Sequence, residues 1–151
     1  MLHTNFNTQL SKGQIGEVMV ADVLQEKGCT IEWYTSLAIQ RKGMDFKATK
    51  DDWEANIEVK YDIRSSSTGN YFIEYYQPLY TKDGWLHTTQ ADYIAFVNKT
   101  VIHLVTPAKL RAWIKANKHT LRSVSEGGGE STGWLVKCPL IASLATKTIS
   151  L

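Results

Sequence analysis

The chain of 151 residues is poor in the residues that mark several common protein classes. Its two cysteines, Cys29 and Cys138, are too few for a disulfide framework and lack metal-ligand spacing. No apolar run approaches the roughly 18 residues a membrane helix needs. The opening residues, MLHTNFNTQL, have neither the basic start nor the apolar stretch of a secretory leader. His3, His87, His103 and His119 are scattered without ligand spacing. There is no Ser-His-Asp elbow, and Gly127 to Gly129 are not followed by Lys-Ser/Thr, so no nucleotide cofactor is expected. These absences leave one soluble domain spanning residues 1–151, with no membrane partner and a reducing, cytoplasmic setting.

Charge is unevenly spread. Residues 1–81 carry 8 basic and 11 acidic side chains, a balance of −3, whereas residues 82–151 carry 9 and 4, a balance of +5. Such a division suits either two differently solvated faces or a cation site beside a polyanion-binding surface.

The most informative stretch is Trp53 to Asp62, WEANIEVKYD. Odd positions are apolar or aromatic and even positions are polar, which is the period of a strand with one buried face. Glu58 and Lys60 therefore share the polar face. Before it, Met44 to Ala48 alternates in the same way, and Asp51-Asp52 has the character of a hairpin tip. A two-residue loop pairs Lys50 with Trp53, and in that register Asp45 lies opposite Glu58. A longer even loop keeps both acids on one face, while an odd loop or a bulge separates them. Opposed like charges are unfavourable, so the pair calls for a proton, a basic neighbour or a metal ion.

Elsewhere the pattern predicts a helix over Ser11–Lys27. Ser11 and Gln14 supply a capping box, Leu10 and Ile15 a hydrophobic staple, and Gly28 a stop. Glu17 falls at the edge of its inward stripe with Val20, Ala21 and Leu24. Strands are expected at Thr30–Ile39, Tyr71–Gln77, Tyr93–Val97 and Val101–Val105, with a helical turn in Thr88–Asp92. Thr106-Pro107 opens a helix that buries Leu110, Trp113 and Ile114 and turns Lys109, Arg111, Lys115 and Lys118 to solvent. Ser123–Gly133 reads as a flexible loop and Trp134–Cys138 as a final edge strand. Trp85, Tyr75 and Tyr76 read as packing residues rather than base-stacking platforms.

Two or three convergent acids can hold a hard cation such as Mg²⁺, which neutralises charge on a phosphodiester and activates water. Asp45 and Glu58 are the candidate paired ligands, with Glu17 a third, direct or through water. Lys60 is placed to orient or deprotonate the attacking water, or to stabilise the transition state. Arg41, Lys42, Lys47, Arg64 and the Ser65, Ser66, Ser67 loop are candidates for DNA backbone contacts.

Asp45 followed by Glu58-Val59-Lys60, after a helix bearing Glu17, resembles the PD-(D/E)xK nuclease superfamily over roughly residues 11 to 105. The resemblance implies an α/β, restriction-endonuclease-like core, a central mixed β-sheet flanked by helices. It implies Mg²⁺, with Mn²⁺ able to substitute, held by Asp45, Glu58, the Val59 backbone carbonyl and Glu17. The size and the helical glutamate look like the Holliday-junction resolvase and phage endonuclease branch. That likeness implies branched DNA as substrate, a homodimer, and a bacterial or phage-infected cell. Met44 stands where the motif has its proline, and no Gln-x-x-x-Tyr helix of the exonuclease branch follows. A restriction-type enzyme on linear duplex and a non-catalytic nucleic-acid-binding module are the competing expectations.

Overall fold

The computed structural model describes residues 12–62 and 65–151. Helix α1 (Lys12–Glu26) packs Val20, Ala21 and Leu24 into the core. It ends where Gly28 takes φ +95°. The N–H of Cys29 donates to Leu24 O and that of Gly28 to Gln25 O, the paired bonds that close a helix through a left-handed glycine. The expected cap from Ser11 and the staple through Leu10 lie outside the described residues.

Six strands form the main sheet, in the order β1 (Thr30–Trp33), β2 (Phe46–Lys50), β3 (Trp53–Tyr61), β6 (Tyr93–Val97), β7 (Val101–Val105) and β10 (Lys147–Ser150). β3 and β6 run parallel and every other pair is antiparallel, so the sheet is mixed. A parallel pair needs a crossover. Here that crossover carries α3 (Ser65–Thr68), β4 (Asn70–Gln77), β5 (Lys82–Asp83) and α4 (Trp85–Thr88). A second, antiparallel sheet has the order β5-β4-β9-β8, with β8 at Arg122–Glu126 and β9 at Ser131–Lys137.

The near-continuous apolar runs of β6 and β7 are explained by burial on both faces. Ala95, Val97, Ile102 and Leu104 face α1. Ile94, Phe96 and Val105 face the second sheet, α5 (Pro107–Asn117) and α6 (Cys138–Leu144). Among the described residues no helix is long and apolar enough to cross a membrane.

Several expectations are corrected. The strand over Thr30–Ile39 stops at Trp33 because its neighbour β2 begins only at Phe46, and Leu37–Gln40 forms a short helix, α2. The helical turn expected at Thr88–Asp92 lies instead at Trp85–Thr88. Arg111 does not turn to solvent: its guanidinium donates to Leu86 O at 2.6 Å and Thr89 O at 2.8 Å, satisfying carbonyls at the end of α4. Ser123–Gly133 is not a flexible loop but most of the β8–β9 hairpin, whose turn uses Gly127, Gly128 and Gly129, all with positive φ. Trp134–Cys138 is no edge strand, since β9 lies between β4 and β8. The Thr106 cap holds as expected, its hydroxyl accepting from Lys109 N–H.

Candidate metal centre

The site begins with a difference in strand length. β2 stops at Phe46, opposite Ile57, while β3 continues to Tyr61, so β3 has a notch on that flank. The hairpin register is the expected one, from Lys50 opposite Trp53 to Phe46 opposite Ile57. Asp45 leaves this ladder: its N–H donates to Ile57 O at 2.8 Å, and its Oδ2 accepts from Val59 N–H at 2.7 Å. Direct opposition of Asp45 and Glu58 is therefore replaced by a carboxylate clamped on the backbone between them. In an extended strand the N–H and C=O of one residue point to the same side. The Val59 carbonyl thus points into the notch with its N–H.

Alternation puts Ala55, Ile57 and Val59 against α1 and turns Glu58 and Lys60 to the opposite face. Glu58 is only 5% exposed. Its Oε1 lies 3.0 Å from Lys60 Nζ, and its Oε2 is buried without a hydrogen-bond partner. An unpaired buried carboxylate oxygen is costly, so something outside the described residues is expected to satisfy it. Lys60 Nζ also lies 4.9 Å from the centre of the Trp85 ring, a cation–π contact that limits where the ammonium can go. The backbone N–H of Trp85 in turn donates to Glu74 Oε1, 3.2 Å away. Glu74 is buried and also accepts from Gln77 and Ser131, which gives this acid a structural role.

Glu17 reaches the notch from the α1 side. A Cβ on Gly16 would collide with Tyr61, so glycine lets the helix approach the end of β3 closely. Burial, then a hydrogen bond to Asp45 and repulsion from its charge, push the Glu17 carboxyl up to about 8, against the pull of Lys60. The folded chain therefore holds a proton here that the unfolded chain gives up near 4.5. This contribution to stability is complete below 4.5 and is lost as pH rises through about 8. Melting in EDTA across this range is expected to show that decline for wild type and a flatter profile for Glu17→Gln. A divalent ion taking these carboxylates displaces the proton, so Mg²⁺ is expected to raise Tm more at about pH 8 than at about pH 5.

Glu17, Asp45, Glu58, Val59 and Lys60 all line one cleft of about 470 Å³. Among the described residues, however, no three His, Cys, Asp or Glu side chains form a ready-made metal cage. Each acid has another engagement: Asp45 with Val59 N–H, Glu58 with Lys60, and Glu17 with Asp45. The donor set still suits Mg²⁺, which keeps several waters and asks for one or two carboxylates. The unpartnered Glu58 Oε2 is the observation that suits a cation-binding carboxylate.

Other expected contacts divide. Arg41 and Lys42 are exposed on the turn before Asp45, and Lys47 is half-buried on β2. Ser65 is corrected: it is 2% exposed and its hydroxyl donates to Asp62 O at 2.7 Å, so it is a structural link rather than a backbone contact. Ser67 is exposed. Arg64 and the Ser66 side chain lie outside the described residues.

Gly43, which follows Arg41 and Lys42 in the turn before Asp45, also borders Glu58. It has φ +74°, and a Cβ there would stand 2.9 Å from Glu58 Oε2 and 2.8 Å from Thr89 Oγ1. The Thr89 hydroxyl donates to Gly43 O, and Gln90 N–H to Lys42 O, tying this turn to the segment before β6. Gly43→Ala is expected to weaken Mg²⁺ binding about ten-fold by calorimetry, because it crowds the unpartnered Glu58 Oε2. Its left-handed backbone also predicts a stability loss of about 1 kcal/mol. A glycine after two basic residues gives no sequence signal for this role.

Comparison of the chain with protein-family models, curated proteins and solved structures yields no match.

Proposed function

We propose that this chain is a divalent-metal-dependent endodeoxyribonuclease built on a restriction-endonuclease-like core. The observation that carries the reading is the buried, unpartnered Glu58 Oε2 in a cleft shared with Asp45, Glu17 and Lys60. The motif resemblance of Asp45 and Glu58-Val59-Lys60 supports it independently.

Asp45, Glu58 and the Val59 carbonyl would hold Mg²⁺, or Mn²⁺ in its place, with Glu17 joining directly or through water. A bound ion of this kind neutralises phosphate charge and acidifies a water molecule. The protein's own part is positional. Lys60 is restrained between Glu58 and Trp85, where its ammonium can orient the attacking water or stabilise charge on the phosphate oxygens. The water would give up a proton to solvent as its oxygen bonds to phosphorus, the bond to the leaving sugar oxygen would break, and that oxygen would take a proton from solvent water.

Branched DNA is the proposed substrate, on the likeness to junction resolvases. Paired symmetric cuts would call for a homodimer. The test is cutting of labelled linear, single-stranded, flap and four-way DNA in Mg²⁺ and in EDTA. Metal-dependent cutting with a preference for the four-way or flap forms is expected. Cutting of linear duplex at one sequence would favour a restriction-type enzyme. Absence of cutting in both Mg²⁺ and Mn²⁺, with DNA still bound in EDTA, would leave a non-catalytic module.

A further inference from the structure

A second cleft, of about 430 Å³, shares Glu58 and Gln40 with the first. The two therefore meet at the buried carboxylate whose Oε2 has no partner. One wall comes from α2 and the turn after it, through Gln40 and Arg41. The other comes from the end of β4 and from β5, through Gln77, Lys82 and Asp83. Trp85, which restrains Lys60, also lines it.

The segments that supply the two walls also carry exposed apolar side chains. Among the described residues, the three most exposed large hydrophobic side chains are Leu37 at 66%, Leu79 at 63% and Tyr80 at 62%. Leu37 belongs to α2, and Leu79 and Tyr80 to the turn joining β4 to β5. The Tyr80 ring lies 5.5 Å from Lys82 Nζ, so an aromatic face and a cleft-lining cation are presented together. Thr81 holds the turn with φ +50°. Cations suit phosphates, and apolar or aromatic faces suit unstacked bases; only a strand whose bases are free of a duplex offers both at adjacent positions. A fully paired duplex would show these segments its phosphates alone.

We propose that the second cleft is a subsite for an unpaired nucleotide next to the scissile phosphate. Lys82 and Arg41 take its phosphate, and the Leu79–Tyr80 tip takes its base. The strand then runs between α2 and β5 and passes over Glu58 into the metal centre. Asp83 is the anion on the Lys82 wall and works against this binding, which gives the proposal a signed test. The inference rests on the nuclease reading for the word scissile, but not for the binding it requires.

The experiment measures binding in EDTA, so that it reads whether or not the protein cuts. Fluorescent single-stranded and flap oligonucleotides are compared with a fully paired duplex, for wild type, Tyr80→Ala, Lys82→Ala and Asp83→Asn. All three positions are exposed, and melting curves check that each variant folds. Tyr80→Ala is expected to weaken single-strand and flap binding about five-fold or more while sparing the duplex. Lys82→Ala is expected to weaken binding and reduce the salt slope of log K by about 0.7 on single strands. Asp83→Asn is expected to tighten it. Equal losses on duplex and single strand, or none with Tyr80→Ala and Lys82→Ala, would overturn the subsite. Failure of wild type to cut any DNA in Mg²⁺ or Mn²⁺, with these binding effects intact, would remove the nuclease reading and leave the subsite standing.

Discussion

Glu58→Gln is expected to lower DNA cutting by about a thousand-fold without lowering the melting temperature in EDTA. The two halves of this expectation have one origin. Glu58 is 5% exposed, yet Oε2 has no partner, and Oε1 has only Lys60, whose side chain is 32% exposed. A carboxylate kept for stability would be expected to have its oxygens satisfied. Here the amide removes a buried charge one of whose oxygens is unsatisfied, which offsets the loss of a partly exposed ion pair of about 1 kcal/mol or less. For binding a cation the same change removes a negatively charged ligand. Rates on a labelled junction, with melting curves of both proteins, are the measurements. A large fall in Tm with normal cutting would assign Glu58 to the core and end the metal-centre assignment.

Lys60→Ala is expected to separate chemistry from ion binding. Loss of the ammonium should slow cutting by about 100-fold or more, the usual scale for a positioned proton-transfer or charge-stabilising group. Mg²⁺ binding should stay the same or tighten. The reason is geometric: Nζ occupies the neighbourhood of Glu58 Oε1 at 3.0 Å and competes with any cation for that carboxylate. Alanine also leaves the Trp85 face without its cation, a contact worth about 0.5–1 kcal/mol at partly exposed sites. Calorimetric titration of Mg²⁺ into both proteins, beside single-turnover cutting, distinguishes the roles. Weakened Mg²⁺ binding in Lys60→Ala would mean that the lysine organises the site rather than acting on substrate. Undiminished cutting would remove it from the mechanism.

These expectations depend on parts of the site that were legible to different degrees. The alternation of Trp53 to Asp62 carries its own burial pattern, because side chains two apart must share a face. Glu58 and Lys60 therefore pair on local pattern alone, and they stand 3.0 Å apart. The hairpin register followed from the two-residue loop, and it holds as far as Phe46 opposite Ile57. It fails at Asp45, where the amide turns to Ile57 O and the carboxylate to Val59 N–H. Local pattern cannot reveal such a departure, because it depends on where β1 and β2 end and not on which residues they contain. Glu17 was identifiable as an inward acid, but its bond to Asp45 requires α1 to approach β3 through Gly16.

The second sheet is less legible in the sequence. Arg122–Glu126 has no strong apolar alternation and is bound to β9 mainly by backbone pairing, so its polar sequence resembled a loop. Arg111 looked like one more solvent-facing cation on a helix, yet the carbonyls it satisfies belong to a segment more than twenty residues away.

By itself, then, the sequence determined the strand that presents Glu58 and Lys60 and the helix that brings Glu17. Those properties are periodic or compositional, and they are written in neighbouring residues. Only the tertiary structure decided that β2 stops short of β3, that Gly43 leaves room at Glu58 Oε2, and that Trp85 restrains Lys60. Each of these depends on the meeting of segments remote in the chain, where excluded volume and hydrogen-bond satisfaction, rather than local preference, fix the outcome.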